Sequence, residues 1–118
     1  MVMNLRISSI LIEANDITIN LYDGQCDDYN LIDNAAILIL ANELNIKQVI
    51  FLGEALMQTK PIVNVAASLK SFGITVITNS NYAFDRLSSM SRRSKYLRAL
   101  LEYTDVQEAG KCSVQSCI

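Results

Sequence analysis

The chain has 118 residues, of which 51% are apolar, and a formal net charge of −2. This length favours a single domain with its own core, and no apolar run is long enough to cross a bilayer. The sequence contains no histidine, which excludes serine–histidine–aspartate triads, cysteine–histidine pairs and histidine-ligated zinc. We expect a cytoplasmic protein without a bound cofactor, because no signal-peptide pattern is visible and the three cysteines do not make a disulfide framework.

The first half of the sequence predicts a β-hairpin followed by a helix. Residues 5–12 and 17–21 are typical of strands, and a turn signal lies between them. Residues 28–44 predict a helix whose middle, residues 35–41, is apolar on nearly every face. A helix of this kind is buried on more than one side. We therefore expect a homo-oligomer, in which another subunit covers the side that the sheet does not.

The second half predicts two buried strands, each followed by a helix. Residues 49–52 and 74–77 are continuous apolar runs, as in central parallel strands. Between them, residues 59–72 predict a helix with Pro61 near its first position, where a missing N–H costs least. Residues 82–103 predict a last helix, whose serine-rich middle is a weak point at which it can divide in two.

These elements give the order β-β-α-β-α-β-α. Right-handed crossovers between parallel strands then predict an α/β fold, a three-layer sandwich in which helices cover both faces of a mixed, mostly parallel sheet. We assign residues 1–104 to this single domain and residues 105–118 to a polar, flexible tail. Cys112 and Cys117 lie in that tail, as free thiols in a reducing compartment or as a small disulfide loop in an oxidising one.

Small and polar residues follow both buried strands. Gly53 and Glu54 come directly after the first strand, and Thr78, Asn79 and Asn81 come after the second. Open α/β sheets bind their ligands at the carboxyl ends of such strands. The sequence therefore predicts that these five residues, the strand-end rim, bind a small ligand or a protein partner.

Two other chemistries are candidates at the same end of the sheet. Asp23 and Asp27 follow the second strand and, together with Glu54, are residues that a hard cation such as Mg²⁺ prefers. They indicate a metal-dependent phosphotransfer enzyme or nuclease, although acids at a helix start are also ordinary caps. Cys26 is a candidate catalytic nucleophile, but its acidic neighbours disfavour the reactive thiolate, and an unreactive loop thiol is the simpler interpretation.

Charge is distributed unequally along the chain. Residues 1–59 carry two basic and eight acidic side chains, whereas residues 60–118 carry eight basic and four acidic ones. Arginine beside exposed tyrosine can bind nucleic acid through phosphate contacts and base stacking. A solvated helix face is the alternative for the same pattern. Five bases concentrate in the predicted last helix: Arg86, Arg92, Arg93, Lys95 and Arg98.

Three stretches, residues 34–42 (NAAILILAN), 49–56 (VIFLGEAL) and 69–76 (LKSFGITV), resemble the DsrE/DsrF family of small sulfur-relay proteins. Residues 96–106 are similar to the closing helix and strand of that family. The resemblance implies a three-layer α/β sandwich assembled into trimers or hexamers. It also implies a persulfide-carrying cysteine directly after the strand at residues 74–77, where this chain has threonine, asparagine and serine.

Two further resemblances involve nucleic-acid enzymes and binding proteins. Residues 34–67 are similar to the Alba family of nucleic-acid-binding proteins, which implies a C-terminal β-hairpin. Residues 6–9 and 85–87, ahead of Arg92 and Arg93, resemble fragments of the serine recombinase catalytic domain. The leading hypothesis is a DsrE-like oligomer that binds a ligand or partner at the strand-end rim. Nucleic-acid binding is the second hypothesis, and a metal-dependent enzyme is the third.

Overall fold

A hairpin of two strands begins the fold and confirms the prediction made from the alternating sequence. In the computed structural model, which describes residues 3–22, 24, 28–53 and 58–108, β1 (Asn4–Glu13) pairs antiparallel with β2 (Asp16–Leu21). Directly opposite residues of an antiparallel pair share a face of the sheet. Ile10 and Ile12 lie opposite Ile19 and Ile17, so these four side chains point to the same side.

The rest of the chain alternates between strands and helices. The result is an α/β domain whose described residues form a six-stranded mixed sheet and four helices, with the strand order β3-β1-β2-β4-β5-β6. The remaining elements are β3 (Asn30–Asp33), α1 (Asn34–Glu43), β4 (Gln48–Leu52), α2 (Thr59–Ser71), β5 (Thr75–Ser80), α3 (Phe84–Met90), α4 (Lys95–Tyr103) and β6 (Asp105–Glu108).

The sheet has a parallel half and an antiparallel half. Strands β2, β4, β5 and β6 run parallel, whereas β1 is antiparallel to both of its neighbours. Strand β3 is short and pairs only with Asn4–Ile7, the first part of β1. The carboxyl ends of the four parallel strands therefore meet at one end of the sheet.

The helices that pack on the sheet form one layer. Helix α2 contacts both α1 and α4, and α3 contacts α4. Each connection between parallel strands leads to the next strand in the direction of β6. Right-handed connections of this kind place their helices on one side of the sheet. Leu5, Ile17, Val49 and Val76 point to that side and are buried, whereas their neighbours along each strand are half-buried or exposed. The predicted three-layer arrangement therefore stays a prediction.

The predicted first helix starts later than expected. The segment Asn30–Asp33 pairs with β1 as strand β3, and the side chain of Asp33 then accepts a hydrogen bond of 2.9 Å from the amide of Ala35, which caps α1. Helix α1 buries Ile37 and Ala41 against the sheet, while Ile39 remains 59% exposed. Helix α1 therefore carries apolar surface that the sheet does not cover.

The C-terminal segment adds a strand that the residue pattern did not predict. The serine-rich middle of the predicted last helix does divide it into α3 and α4, and Ser94 caps α4 by accepting from the amide of Leu97 at 3.2 Å. Residues 105–108, the start of the expected tail, pair with β5 as β6. Cys112 and Cys117 lie outside the described residues. No helix in the described part of the chain has the length and apolar character that crossing a membrane requires.

Candidate functional site

The strand-end rim lies where the parallel strands end. Gly53 follows β4 and Asn81 follows β5, and the parallel pairing of these strands brings both residues to the same end of the sheet. Both are exposed. Glu54 lies outside the described residues, so this part of the rim stays a prediction.

Gly53 is required by the backbone. Its φ is +103°, a conformation that side-chain-bearing residues rarely adopt. A Cβ added at this position would lie 3.1 Å from the carbonyl oxygen of Leu21, which ends β2. The glycine therefore allows the chain leaving β4 to pass close to the neighbouring strand.

Thr78 and Asn79 are consecutive in β5 and so point to opposite faces of the sheet. Thr78 faces the helices and is 1% exposed, and its Oγ1 lies 3.3 Å from Oγ1 of Thr104. The Thr104 hydroxyl donates to the carbonyl of Leu100 at 2.6 Å, so Thr78 is the donor to Thr104. Asn79 is half-buried on the other face. The structure does not bring these two rim side chains together.

Gln58, which no sequence pattern singled out, is buried at the same end of the sheet. Gln58 immediately precedes α2 and is only 5% exposed. Its Oε1 accepts from the amide of Arg6 at 2.7 Å, and its Nε2 donates to the carbonyls of Arg6 at 3.1 Å and Tyr22 at 3.0 Å. One side chain thus fixes the start of α2 to β1 and to the end of β2. A single glutamine carries no periodic signal, so sequence reasoning had nothing with which to find it.

Asn34 joins the starts of the first two helices. This buried residue donates from Nδ2 to the carbonyl of Pro61 and to Oδ1 of Asn64, both at 2.9 Å. Its own Oδ1 is buried without a hydrogen-bond partner in the structure. Asn34 therefore holds the starts of α1 and α2 together at this end of the helix layer.

The residues behind the two enzymatic hypotheses fall outside the described part of the chain. These are Cys26, Asp23, Asp27 and Glu54, so the nucleophile and the metal site both stay predictions. Within the described ranges, the aspartate, glutamate and cysteine residues do not form a group of three or more that could hold a metal ion.

An open cleft lies at the opposite end of the sheet from the strand-end rim. It has a volume of about 370 Å³ and lies between the starts of β5 and β6 and the end of α4. Lys70, near the end of α2, crosses towards α4 and donates from Nζ to the carbonyl of Glu102 at 3.2 Å. The cleft is therefore the place where α2 and α4 are joined, at the amino ends of the strands.

The predicted cations lie together on the last two helices. Arg86 is on α3, Arg92 and Arg93 are in the turn after it, and Lys95 and Arg98 begin α4. All five side chains are exposed. None of them forms an ion pair with a carboxylate of the described residues. The charge of this region is therefore available to an anion.

Two tyrosines position some of these cations. The Arg86 guanidinium lies 5.0 Å from the ring centre of Tyr82, and Lys95 Nζ lies 5.4 Å from that of Tyr96. Lys60, at the start of α2, reaches the same Tyr96 ring at 5.9 Å. One aromatic ring thus contacts ammonium groups from two helices. We call the six cations the basic surface: Lys60, Arg86, Arg92, Arg93, Lys95 and Arg98.

No protein-family model, no curated protein and no solved structure matches this chain.

Proposed function

We propose that this protein binds nucleic acid through the basic surface. The observation that carries the proposal is a group of exposed cations without carboxylate partners among the described residues, two of them held on the Tyr96 ring. Like charges concentrated on two contacting helices repel one another, and a polyanion reduces that repulsion when it binds. Residues 82–103 contain five basic and only two acidic side chains, so the local field is positive although the whole chain is slightly acidic.

The binding mode follows from the chemistry of these groups. Arginine and lysine contact phosphate oxygens irrespective of base identity, so we expect binding without strong sequence preference. The exposed ring of Tyr96 adds a stacking surface that favours single strands. The acidic first half of the chain repels the same ligand, which restricts contact to the α3–α4 side of the molecule.

Fluorescence anisotropy with labelled single-stranded DNA, duplex DNA and RNA tests this proposal. We expect micromolar dissociation constants at low salt and a steep loss of affinity as salt is raised, with a log–log slope of about −0.9 per phosphate contact on duplex DNA. Replacing Arg92 and Arg93 by alanine should weaken binding roughly tenfold and reduce the slope by about 2. The charge-matched control replaces Lys47 and Lys70, which lie outside the basic surface, and should bind like the unmodified protein. Absence of binding at low salt, or equal losses in both double variants, contradicts the proposal.

A DsrE-like protein that binds a partner or small ligand at the strand-end rim is the second candidate. It is supported by the four parallel strands that end together at the rim and by α4 and β6, which coincide with the resemblance to that family's closing helix and strand. Sulfur transfer would need a thiol other than the family's usual one, because β5 ends without a cysteine. The three-layer arrangement that the resemblance implies is part of this candidate.

Neither candidate function requires that the protein be an enzyme. A cytoplasmic location belongs to the same proposal and rests on the three cysteines, which do not make a disulfide framework. The Cys26→Ser variant tests the thiol hypothesis, because a sulfur-transfer activity that survives this change cannot depend on Cys26 as its nucleophile.

A further inference from the structure

The two edges of the sheet differ in how they are protected. At one edge, β6 carries the exposed charges Asp105 and Glu108, which discourage pairing with another chain. At the other edge, β3 covers only Asn4–Ile7 of β1. Residues 8–13 therefore have an outer edge that no strand in the described ranges pairs with, and we call this segment the free edge.

The free edge is apolar as well as unpaired. Ile10, Leu11 and Ile12 are 39%, 52% and 44% exposed, and Glu13 is the one charged residue of the segment. Backbone N–H and C=O groups without partners, beside exposed apolar side chains, form a template for strand addition. Natural edges are usually protected by lysine, proline or a covering loop, and proline and lysine are both missing from this segment.

We propose that a second copy of this chain occupies the free edge, so that two β1 strands pair antiparallel across a two-fold axis and the two sheets become continuous. Strand β3 already pairs with Asn4–Ile7 of β1. A strand added at this edge can therefore pair with only about six residues of β1, residues 8–13. A second copy presents a segment of that length, and it is limited in the same way by its own β3. Self-pairing therefore satisfies both free edges at once, as an isologous interface does.

The faces of the sheet determine the register. Ile10 and Ile12 point to the helix side, whereas Leu11, opposite Thr18, points to the other side. A two-fold axis perpendicular to the sheet places the helix sides of both subunits on the same side of the joined sheet. Each residue of one β1 must therefore lie opposite a partner residue whose side chain points to the same side. Centring the pair on Leu11 places Leu11 opposite Leu11 of the partner subunit and Ile10 opposite the partner's Ile12. A shift by two residues would instead place Leu11 opposite serine or glutamate.

The central register also separates the charges. Glu13 then lies opposite the partner's Ser9, and the two Glu13 carboxylates are at opposite ends of the paired segment, about 13 Å apart along the strands. The contact is small by the standard of stable interfaces, so we expect a concentration-dependent dimer. Its formation does not depend on the proposed nucleic-acid binding, because no cation of the basic surface belongs to the free edge, residues 8–13 of β1.

Sedimentation velocity of the full chain over a range of concentrations tests the interface. We expect reversible dimerisation, weakened at least tenfold by Leu11→Lys and unchanged by Ile39→Lys. Ile39 is the matched control because it is equally apolar and 59% exposed, but lies on α1. Both variants change exposed positions, and circular dichroism checks that they remain folded. A chain that stays monomeric, or one whose dimer is lost in Ile39→Lys and kept in Leu11→Lys, overturns the proposal.

Disulfide trapping tests the register independently. In a background in which Cys26, Cys112 and Cys117 are replaced by serine, Leu11→Cys places two thiols directly opposite each other. Opposed residues of antiparallel strands have Cα atoms about 4.5–5.5 Å apart, which a disulfide can span. We expect rapid cross-linking of Leu11→Cys under mild oxidation and at least tenfold slower cross-linking of Glu13→Cys. Equal rates, or faster cross-linking of Glu13→Cys, contradict the central register and with it the proposal.

Discussion

The carboxamide of Gln58 hydrogen-bonds to both the amide and the carbonyl of Arg6, so a side chain at the start of a helix completes the hydrogen bonding of a strand. The pairing resembles one step of a β-ladder, in which a residue donates to and accepts from the same neighbour. It lies next to the place where the β1–β2 register shifts, between Ile7 and Ser9. The glutamine thus supplies backbone partners where a regular ladder is interrupted.

The first prediction concerns this side chain. Gln58→Leu keeps a similar volume but removes the side-chain partner of the half-buried Arg6 amide and Tyr22 carbonyl, whereas the Arg6 carbonyl still accepts from the Tyr22 amide at 2.9 Å. We therefore expect the free energy of unfolding to fall by about 1–3 kcal/mol. Urea denaturation followed by circular dichroism measures the change. Gln107→Leu, at an exposed position of β6, is the control and should alter stability by less than about 0.5 kcal/mol. Equal effects of the two substitutions would show that the buried hydrogen bonds contribute nothing specific.

The second prediction concerns the glycine that ends β4. Gly53→Ala should destabilise the protein more than Gly73→Ala, although both residues have positive φ. At Gly73 a Cβ meets no atom within 4 Å, whereas at Gly53 it meets the Leu21 carbonyl at 3.1 Å. We expect a loss of about 1 kcal/mol at Gly73 from backbone strain and roughly 2–3 kcal/mol at Gly53, where the contact adds to it. Thermal unfolding of both variants separates the two contributions, and a larger loss at Gly73 would contradict the argument.

The third prediction concerns the hydroxyl pair in the core. Thr78→Val removes the donor to Thr104 but leaves the bond from Thr104 to Leu100 intact, so we expect a loss of about 0.5–1.5 kcal/mol. Thr104→Val removes both bonds and should cost more. A double-mutant cycle in urea should give a coupling energy of about 0.5–1 kcal/mol between the two residues. Additive effects would mean that the 3.3 Å contact is not a stabilising hydrogen bond.

Elements with a strong local pattern could be predicted from the sequence. The apolar runs at residues 49–52 and 74–77 are β4 and β5, and the stretch that begins at Thr59 is α2, because central strands and amphipathic helices carry their signal in consecutive residues. Strands β3 and β6 could not be predicted in this way. Each is only four residues long and contains acids, and each forms because a distant strand offers its edge.

The strand-end rim could likewise be predicted only in part from the sequence. Its location at the carboxyl ends of the strands follows from the order of the elements, which the sequence predicts in outline. The direction of each side chain depends on the alternation within β5, which points Thr78 into the helix layer and Asn79 away from it. The partners of Gln58 and Asn34 could not be predicted either, because both residues bond to groups far away in the sequence.

Helix α2 depends on parts of the chain that are synthesised before and after it. Its start is held by Gln58 to Arg6, 52 positions earlier, and its end is held by Lys70 to Glu102, 32 positions later. The side chains that fix the two ends of the helix thus find their partners in different flanks of the chain, Gln58 in the earlier one and Lys70 in the later one. A ribosome that has released only the first two-thirds of the sequence therefore exposes a chain whose central helix still lacks its later anchor.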